Sequence, residues 1–203
     1  MKETVMIRRV LLAAACLIAG GCAAHRIQYY QISVSPAPPA LVPTGPSLLV
    51  GHIATPKALQ DSRIRYHVGA NEVGAYEYHR WTDEPGTMVK EALIHELRAS
   101  DRYSAVQETG ASAHGDYSLR GRLVEFAELD DHGIQTRVSL DLELRETATG
   151  RLVWNQMLTH DDPVESKKVS AVVQSLDRNL RTVLNEASGA IGAYVVAHPI
   201  ATR

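Results

Sequence analysis

Residues 134–145 read IQTRVSLDLELR. Ile134, Thr136, Val138, Leu140, Leu142 and Leu144 alternate without a break with Gln135, Arg137, Ser139, Asp141, Glu143 and Arg145. Successive side chains of a strand point to opposite faces, so this pattern predicts an antiparallel strand with one face in a core and one in water. Its upstream neighbour, 117–129, alternates as far as Leu123-Val124 and then changes phase. That predicts a bulge, an extra residue that resets which side chains face inward. Downstream, Thr149-Gly150 turns into a third strand over 152–159, where Trp154 alternates with Leu152 and is assigned to the core. Residues 116–160 are thus a three-stranded meander whose apolar face the rest of the chain must cover.

Two segments have the spacing to cover it. In DEPGTMVKEALIHELRAS, 83–100, the residues Met88, Val89, Ala92, Leu93 and Leu97 share a helical face. Pro85 stands in the first turn, where its missing N–H costs nothing. Near the end, Val169, Val172, Val173, Leu176, Leu180, Val183, Leu184, Ala187 and Ile191 keep a 3–4 spacing. Over about 25 residues such a helix spans roughly 38 Å, enough to cross a sheet. Ahead of the first helix, SLLVGHIATP (47–56) predicts a strand ending at Pro56. RIRYHV (63–68) alternates and pairs as a hairpin with NEVGAYEYHRW (71–81), and a short strand lies at 103–107. The order β-β-β-α-β-β-β-β-α is that of an α+β fold, an antiparallel-rich sheet with two helices packed on one side.

The amino terminus is of a different kind. Lys2, Arg8 and Arg9 precede the uncharged run Val10 to Ile18, and Ala19-Gly20-Gly21 leads into Cys22. A basic, apolar, then small order is that of a secretory signal, and the run is shorter than the roughly 20 residues a membrane-spanning helix needs. Small residues directly before a cysteine resemble the lipobox of bacterial lipoproteins, in which that cysteine receives the lipid and becomes the new first residue. Cys16, the other cysteine, leaves with the signal. Several acyl chains on Cys22 would hold the protein firmly, since each buried methylene contributes about 0.8 kcal/mol. Removal of 1–21 leaves 18 basic against 22 acidic residues, a formal charge of −4. Next, SVSPAPPALVPTGPS (33–47) has five prolines in fifteen positions and favours extended polyproline II over packed structure. The expected organisation is a signal at 1–21, a lipidated proline-rich tether or arm at 22–46, a domain at 47–196 and a tail at 197–203. Because Tyr29, Tyr30 and Ile32 would sit awkwardly on a free tether, part of the arm is expected to dock as a strand.

With a formal charge of −2 over the whole chain and no basic cluster, nucleic-acid binding is not expected. The nine histidines form no HxH or HExxH spacing, so no metal or metal cofactor is expected. Asp130-Asp131-His132 reads as a hairpin loop, and Asp161-Asp162 before Pro163 as a loop or the approach to a helix. There is no GxSxG elbow, phosphate-cradling glycine loop or dinucleotide fingerprint, so the chain is not expected to be an enzyme. The suggestive residues are aromatic. Tyr29-Tyr30 stands between the lipid site and the prolines, and Arg80-Trp81 stands just before the Pro85 helix, where the ring either caps the core or meets a partner. Tryptophan, tyrosine and arginine dominate contact hot spots, which makes Tyr29, Tyr30, Arg80 and Trp81 the candidate partner-binding residues.

Taken in order, the lipobox ending in Cys22, Tyr29-Tyr30-Gln31-Ile32, LLVGHIATPKALQDSRIRY, VGAYEYHRWTDEPGTMVKEAL, GDYSLRGRLVEFAELD, TGRLVWNQ and VSAVVQSL resemble the ABC-type transport auxiliary lipoprotein family, of the PqiC-like kind. Ile32 departs from the more usual leucine, and AHPIATR at the end matches none of the pattern. The resemblance implies a non-enzymatic lipoprotein anchored in the outer membrane and facing the periplasm. It would serve an MCE-domain protein and an ABC permease and ATPase that carry lipids or other apolar molecules between membranes. It also implies a fold similar to the TolB amino-terminal domain, and self-association of the chain. The alternative is a structural lipoprotein of envelope assembly, with the same fold and no transporter partner.

Overall fold

The meander forms where the alternation places it. In the computed structural model, which describes residues 25–34, 45–110, 113–131 and 133–199, the elements run β1 (Gln28–Tyr30), β2 (Ser47–Ala54), β3 (Arg63–Val68), β4 (Glu72–Trp81), α1 (Pro85–Ala99), β5 (Ala105–Glu108), β6 (Tyr117–Asp130), β7 (Ile134–Glu146), β8 (Leu152–Pro163) and α2 (Val169–Ala197). Along β6 and β7, Leu123 lies opposite Leu140 and Glu125 opposite Ser139, so Val124 is the extra residue of the bulge. Phe126 thereby regains the buried face opposite Val138.

The other edge of β6 is shared by two strands. β2 runs parallel to its first half, Leu48 beside Tyr117 through Ala54 beside Arg122. β3 runs parallel to its second half, from Arg65 beside Ala127 to Val68 beside Asp130. Between them the chain leaves the sheet through a 3-10 turn at Lys57–Leu59, level with the bulge. β5 adds to β2, while β4 and then β1 add to β3. The sheet is therefore mixed and forked beyond β6, though its longest ladders, β6–β7 and β7–β8, are antiparallel. Gly121 sits where the layers are tightest. A Cβ there would lie 2.6 Å from Leu142 Cδ2 and 2.9 Å from both the Asp141 carbonyl oxygen and Ile53 Cδ1.

Both helices lie on one side. Val89, Leu93 and Leu97 of α1 and Leu176, Leu180, Val183, Ala187 and Ile191 of α2 join Leu119, Leu123, Phe126, Leu140, Leu142 and Leu144 in one cluster. α1 rests mainly on β2 and β5, α2 on β7 and β8, and the helices touch each other. A buried polar seam sets the position of α2 on the sheet. Thr136, Ser175 and Asn179 are fully buried. Asn179 Nδ2 donates to the Thr136 carbonyl (2.9 Å), Asn179 Oδ1 lies 3.0 Å from His160 Nδ1, and Ser175 Oγ donates to Asp162 Oδ2 (2.7 Å). Every partner in the seam is satisfied across two elements, so sliding the helix would strand several groups at once.

Two expectations are corrected at β8. Asp161 and Asp162 belong to the strand, not to a loop: Arg137 grips Asp161 with two bonds of 2.7 Å, and Arg178 donates to Asp162 at 2.8 Å. The guanidinium of Arg137 holds the Asp161 carboxyl below its ordinary range. Trp154 is only partly buried and Leu152 is 45% exposed. β8 is an edge strand, so only part of each side chain finds cover.

Candidate docking edge

β1 is short and lies on the outer edge of one fork. It pairs in parallel with β4, Gln28 beside His79, Tyr29 beside Arg80 and Tyr30 beside Trp81, and Thr82 N–H closes the ladder on the Tyr30 carbonyl at 2.8 Å. The arm therefore docks as a strand, as its apolar residues require. Tyr30 Oη donates to Gln28 Oε1 (2.8 Å) and sits 3.0 Å from His79 Nδ1, with the two rings stacked at 5.8 Å. Partial burial raises the Tyr30 pKa. Tyr29 is 62% exposed, and Ile27 beside it is also exposed.

Beyond β1 the chain stays attached. Ile32 is 6% exposed and belongs to the main core. Ser33 N–H donates to Asp177 Oδ1 on α2 at 2.8 Å, and Arg181 holds the other oxygen of Asp177 at 2.7 Å. At the far end of the proline-rich stretch, Ser47 is held by Asp116 through its N–H and its hydroxyl, both 2.7 Å. The prolines thus join two docked points of one domain. This corrects the tether's extent: the chain between Cys22 and the first docked strand is 23–27, not 23–46. Cys22 itself, the signal at 1–21, the proline run 35–44, His132 and most of the tail lie outside the described residues.

The second pair of candidates divides. Trp81 is 1% exposed, its ring 5.3 Å from that of Phe126. A side chain enclosed on all sides cannot meet a partner, so Trp81 as a contact residue is corrected to a core residue that fixes the end of β4. Arg80 is half-buried, and its Nε has no hydrogen-bond partner among the described residues. Tyr29, Tyr30 and Arg80 do come together, on neighbouring strands. Sequence reasoning placed Ile32 in the docked arm but missed His79 and Asp177 as groups that fix this edge. Nothing in the sequence joins Ser33 to Asp177, 144 residues away. What gathers here is aromatic, apolar and cationic, with a strand edge unpaired among the described residues, a combination suited to contact.

The comparisons decide the family. A family model described as the ABC-type transport auxiliary lipoprotein component matches residues 30–188. The chain belongs to that family. The match begins at the last residue of β1 and ends inside α2, so it takes in Tyr30, Ile32 and Ser33 of the docked arm. Among solved structures, a protein from Xanthomonas campestris superposes with a TM-score of 0.73 at 19% identity, covering 82% of this chain and 96% of its own. An uncharacterized protein reaches 0.64 at 15% identity, covering 83% and 97%. A hypothetical protein from Chlamydia trachomatis reaches 0.55 at 7% identity, covering 76% and 100%. At these identities the likeness is one of fold. No curated protein matches the chain. Among the described residues, no helix is long and apolar enough to cross a membrane.

Proposed function

We propose that the protein is a lipid-anchored adaptor. Acylated at Cys22 and seated on the periplasmic face of the outer membrane, it joins an MCE-domain protein and an ABC permease and ATPase that move lipids or other apolar molecules between the two membranes. One observation carries this reading: the family's domain starts at Tyr30, in a strand already paired to the sheet. Six residues from Cys22 to Gln28 span at most about 20 Å. An anchor on Cys22 would therefore hold the β1 edge against the bilayer, with Tyr29 at the membrane-proximal end and the helices and β8 beyond it. Self-association belongs to the same proposal, since β1 and β8 leave strand edges unpaired among the described residues. No catalytic step is assigned to it.

The test combines palmitate labelling, membrane fractionation and crosslinking from intact envelopes. The wild type should incorporate label, fractionate with outer membrane and capture an MCE-domain protein, while Cys22→Ser should lose label and membrane association together. An unlabelled wild type that fractionates as free protein overturns the anchor. A labelled protein that captures only envelope-assembly components favours the structural lipoprotein over the transport adaptor.

A further inference from the structure

The β3–β4 hairpin and the end of β6 enclose an open cleft of about 470 Å³, lined by Tyr66, Val68, Tyr76, Glu77, Glu128 and Asp130 among others, and the Tyr76 ring meets the His79 ring of the edge described above at 5.8 Å. Its walls are aromatic. Tyr66 lies beside Glu128 in the β3–β6 ladder and opposite Gly74 in the hairpin. The Tyr66 ring crosses Gly74 so closely that a Cβ there would collide with it. The Tyr66 and Tyr76 ring centroids are 5.1 Å apart, tilted by 59°.

The floor is a carboxylate that the fold does not fully use. Glu128 is 6% exposed, and its Oε2 accepts a 2.6 Å bond from Tyr76 Oη. Among the described residues Tyr76 is its one hydrogen-bond donor, and Glu128 lines the cleft. Glu77 and Asp130 stand at the rim, and no lysine or arginine lines the space; the lining histidine, His67, is turned to Glu125 at 3.2 Å. Burial raises the Glu128 pKa and the Tyr76 bond opposes the rise.

A buried carboxylate beside two tyrosine rings is complementary to an organic cation. The carboxylate supplies charge, the rings supply their negative faces, and the low-dielectric walls strengthen both. The rim decides the source. Val68, which lines the cleft, is 47% exposed. A free small cation would leave it in water, whereas a polypeptide inserting one basic side chain would cover it. We infer that this cleft receives a lysine or arginine side chain of a partner protein, stacked against Tyr66 and Tyr76 and paired with Glu128. The inference is independent of which assembly the protein joins.

The test uses the full chain in detergent with ¹³C-labelled tyrosine rings, titrated to about 50 mM, past the millimolar range expected for capture of one side chain. The probes are Nα-acetyl-arginine methylamide and Nα-acetyl-lysine methylamide, with the norleucine analogue, tetramethylammonium and phosphoethanolamine alongside. The arginine or lysine probe should shift the Tyr66 and Tyr76 resonances saturably while norleucine does not. Glu128→Gln should weaken binding about tenfold or more, the scale of losing a paired charge. Tyr66→Leu, at a half-buried position, should weaken it too and serves if Glu128→Gln fails to fold. Absence of saturation, equal shifts from norleucine, binding confined to tetramethylammonium or phosphoethanolamine, or unchanged affinity in a folded variant would each overturn the proposal.

Discussion

Truncating Ile32 to alanine tests whether the arm is part of the domain or a leash outside it. Ile32 is 6% exposed and packed into the main core. Removing three methyl or methylene groups from such a site forfeits their transfer free energy and leaves a cavity, together about 2–4 kcal/mol. For a domain of this size each kcal/mol moves Tm by roughly 2–4 °C, so the variant should melt about 4–16 °C lower. Val34→Ala, two residues on and 39% exposed, should stay within about 0.5 kcal/mol. Asp177→Ala removes the acceptor of the Ser33 N–H and should cost about 1–3 kcal/mol. The two losses should combine to less than their sum, because either change alone loosens the same segment. Urea and thermal unfolding of the three single variants and the double variant supply the numbers. If Ile32→Ala unfolds with the wild type while the protein remains two-state, the arm contributes nothing to the fold and the short-anchor geometry fails with it.

Four further outcomes follow from the packing. Trp81→Ala should destabilise by about 3–5 kcal/mol, whereas Trp81→Phe, which keeps an aromatic ring against Phe126, should retain partner capture once the protein is folded; loss of capture by a stable Trp81→Phe would return Trp81 to the interface. Gly121→Ala should cost about 1–3 kcal/mol by overpacking, since one of the atoms it meets is a backbone oxygen that cannot swing aside; an unchanged Tm refutes this. Asn179→Leu strands the Thr136 carbonyl and should cost about 1–3 kcal/mol in urea unfolding. Because the folded state holds the Glu128 carboxyl above its ordinary 4.5, it binds that proton more tightly than the unfolded chain does. Wild-type stability should therefore fall, relative to Glu128→Gln, as pH rises from about 4.5 through the raised value, and the gap should be constant below about 4.5 and again above the raised value.

The elements were legible where a local pattern carries the physics. The unbroken alternation of β7, the phase change at Val124 and the 3–4 spacing of both helices each specify a face without reference to distant residues. The forked edge of β6 was not legible, because parallel pairing of β2 and of β3 with β6 joins residues about sixty to seventy apart and leaves no turn signature. Asp161 and Asp162 read as loop because an edge strand can carry charges that ion pairs hold in place. Trp81 was ambiguous because a ring at a strand end has the same sequence neighbours whether it faces in or out. At the docking edge Tyr29 and Tyr30 were singled out from composition and position alone. Ser175 and Asn179 of the polar seam, and Glu128 of the cleft, were not found, since a buried polar group is recognisable only with its partners.

The hydrogen bond between Ser33 and Asp177 also orders events in time. Its two ends are 144 residues apart, and closing so large a loop yields little until both surfaces are already built. The stretch nearest Cys22 is thus the last to settle when the molecule assembles and the first to peel away when it opens, which leaves the leading end free to be handled by other machinery until the final helix is in place.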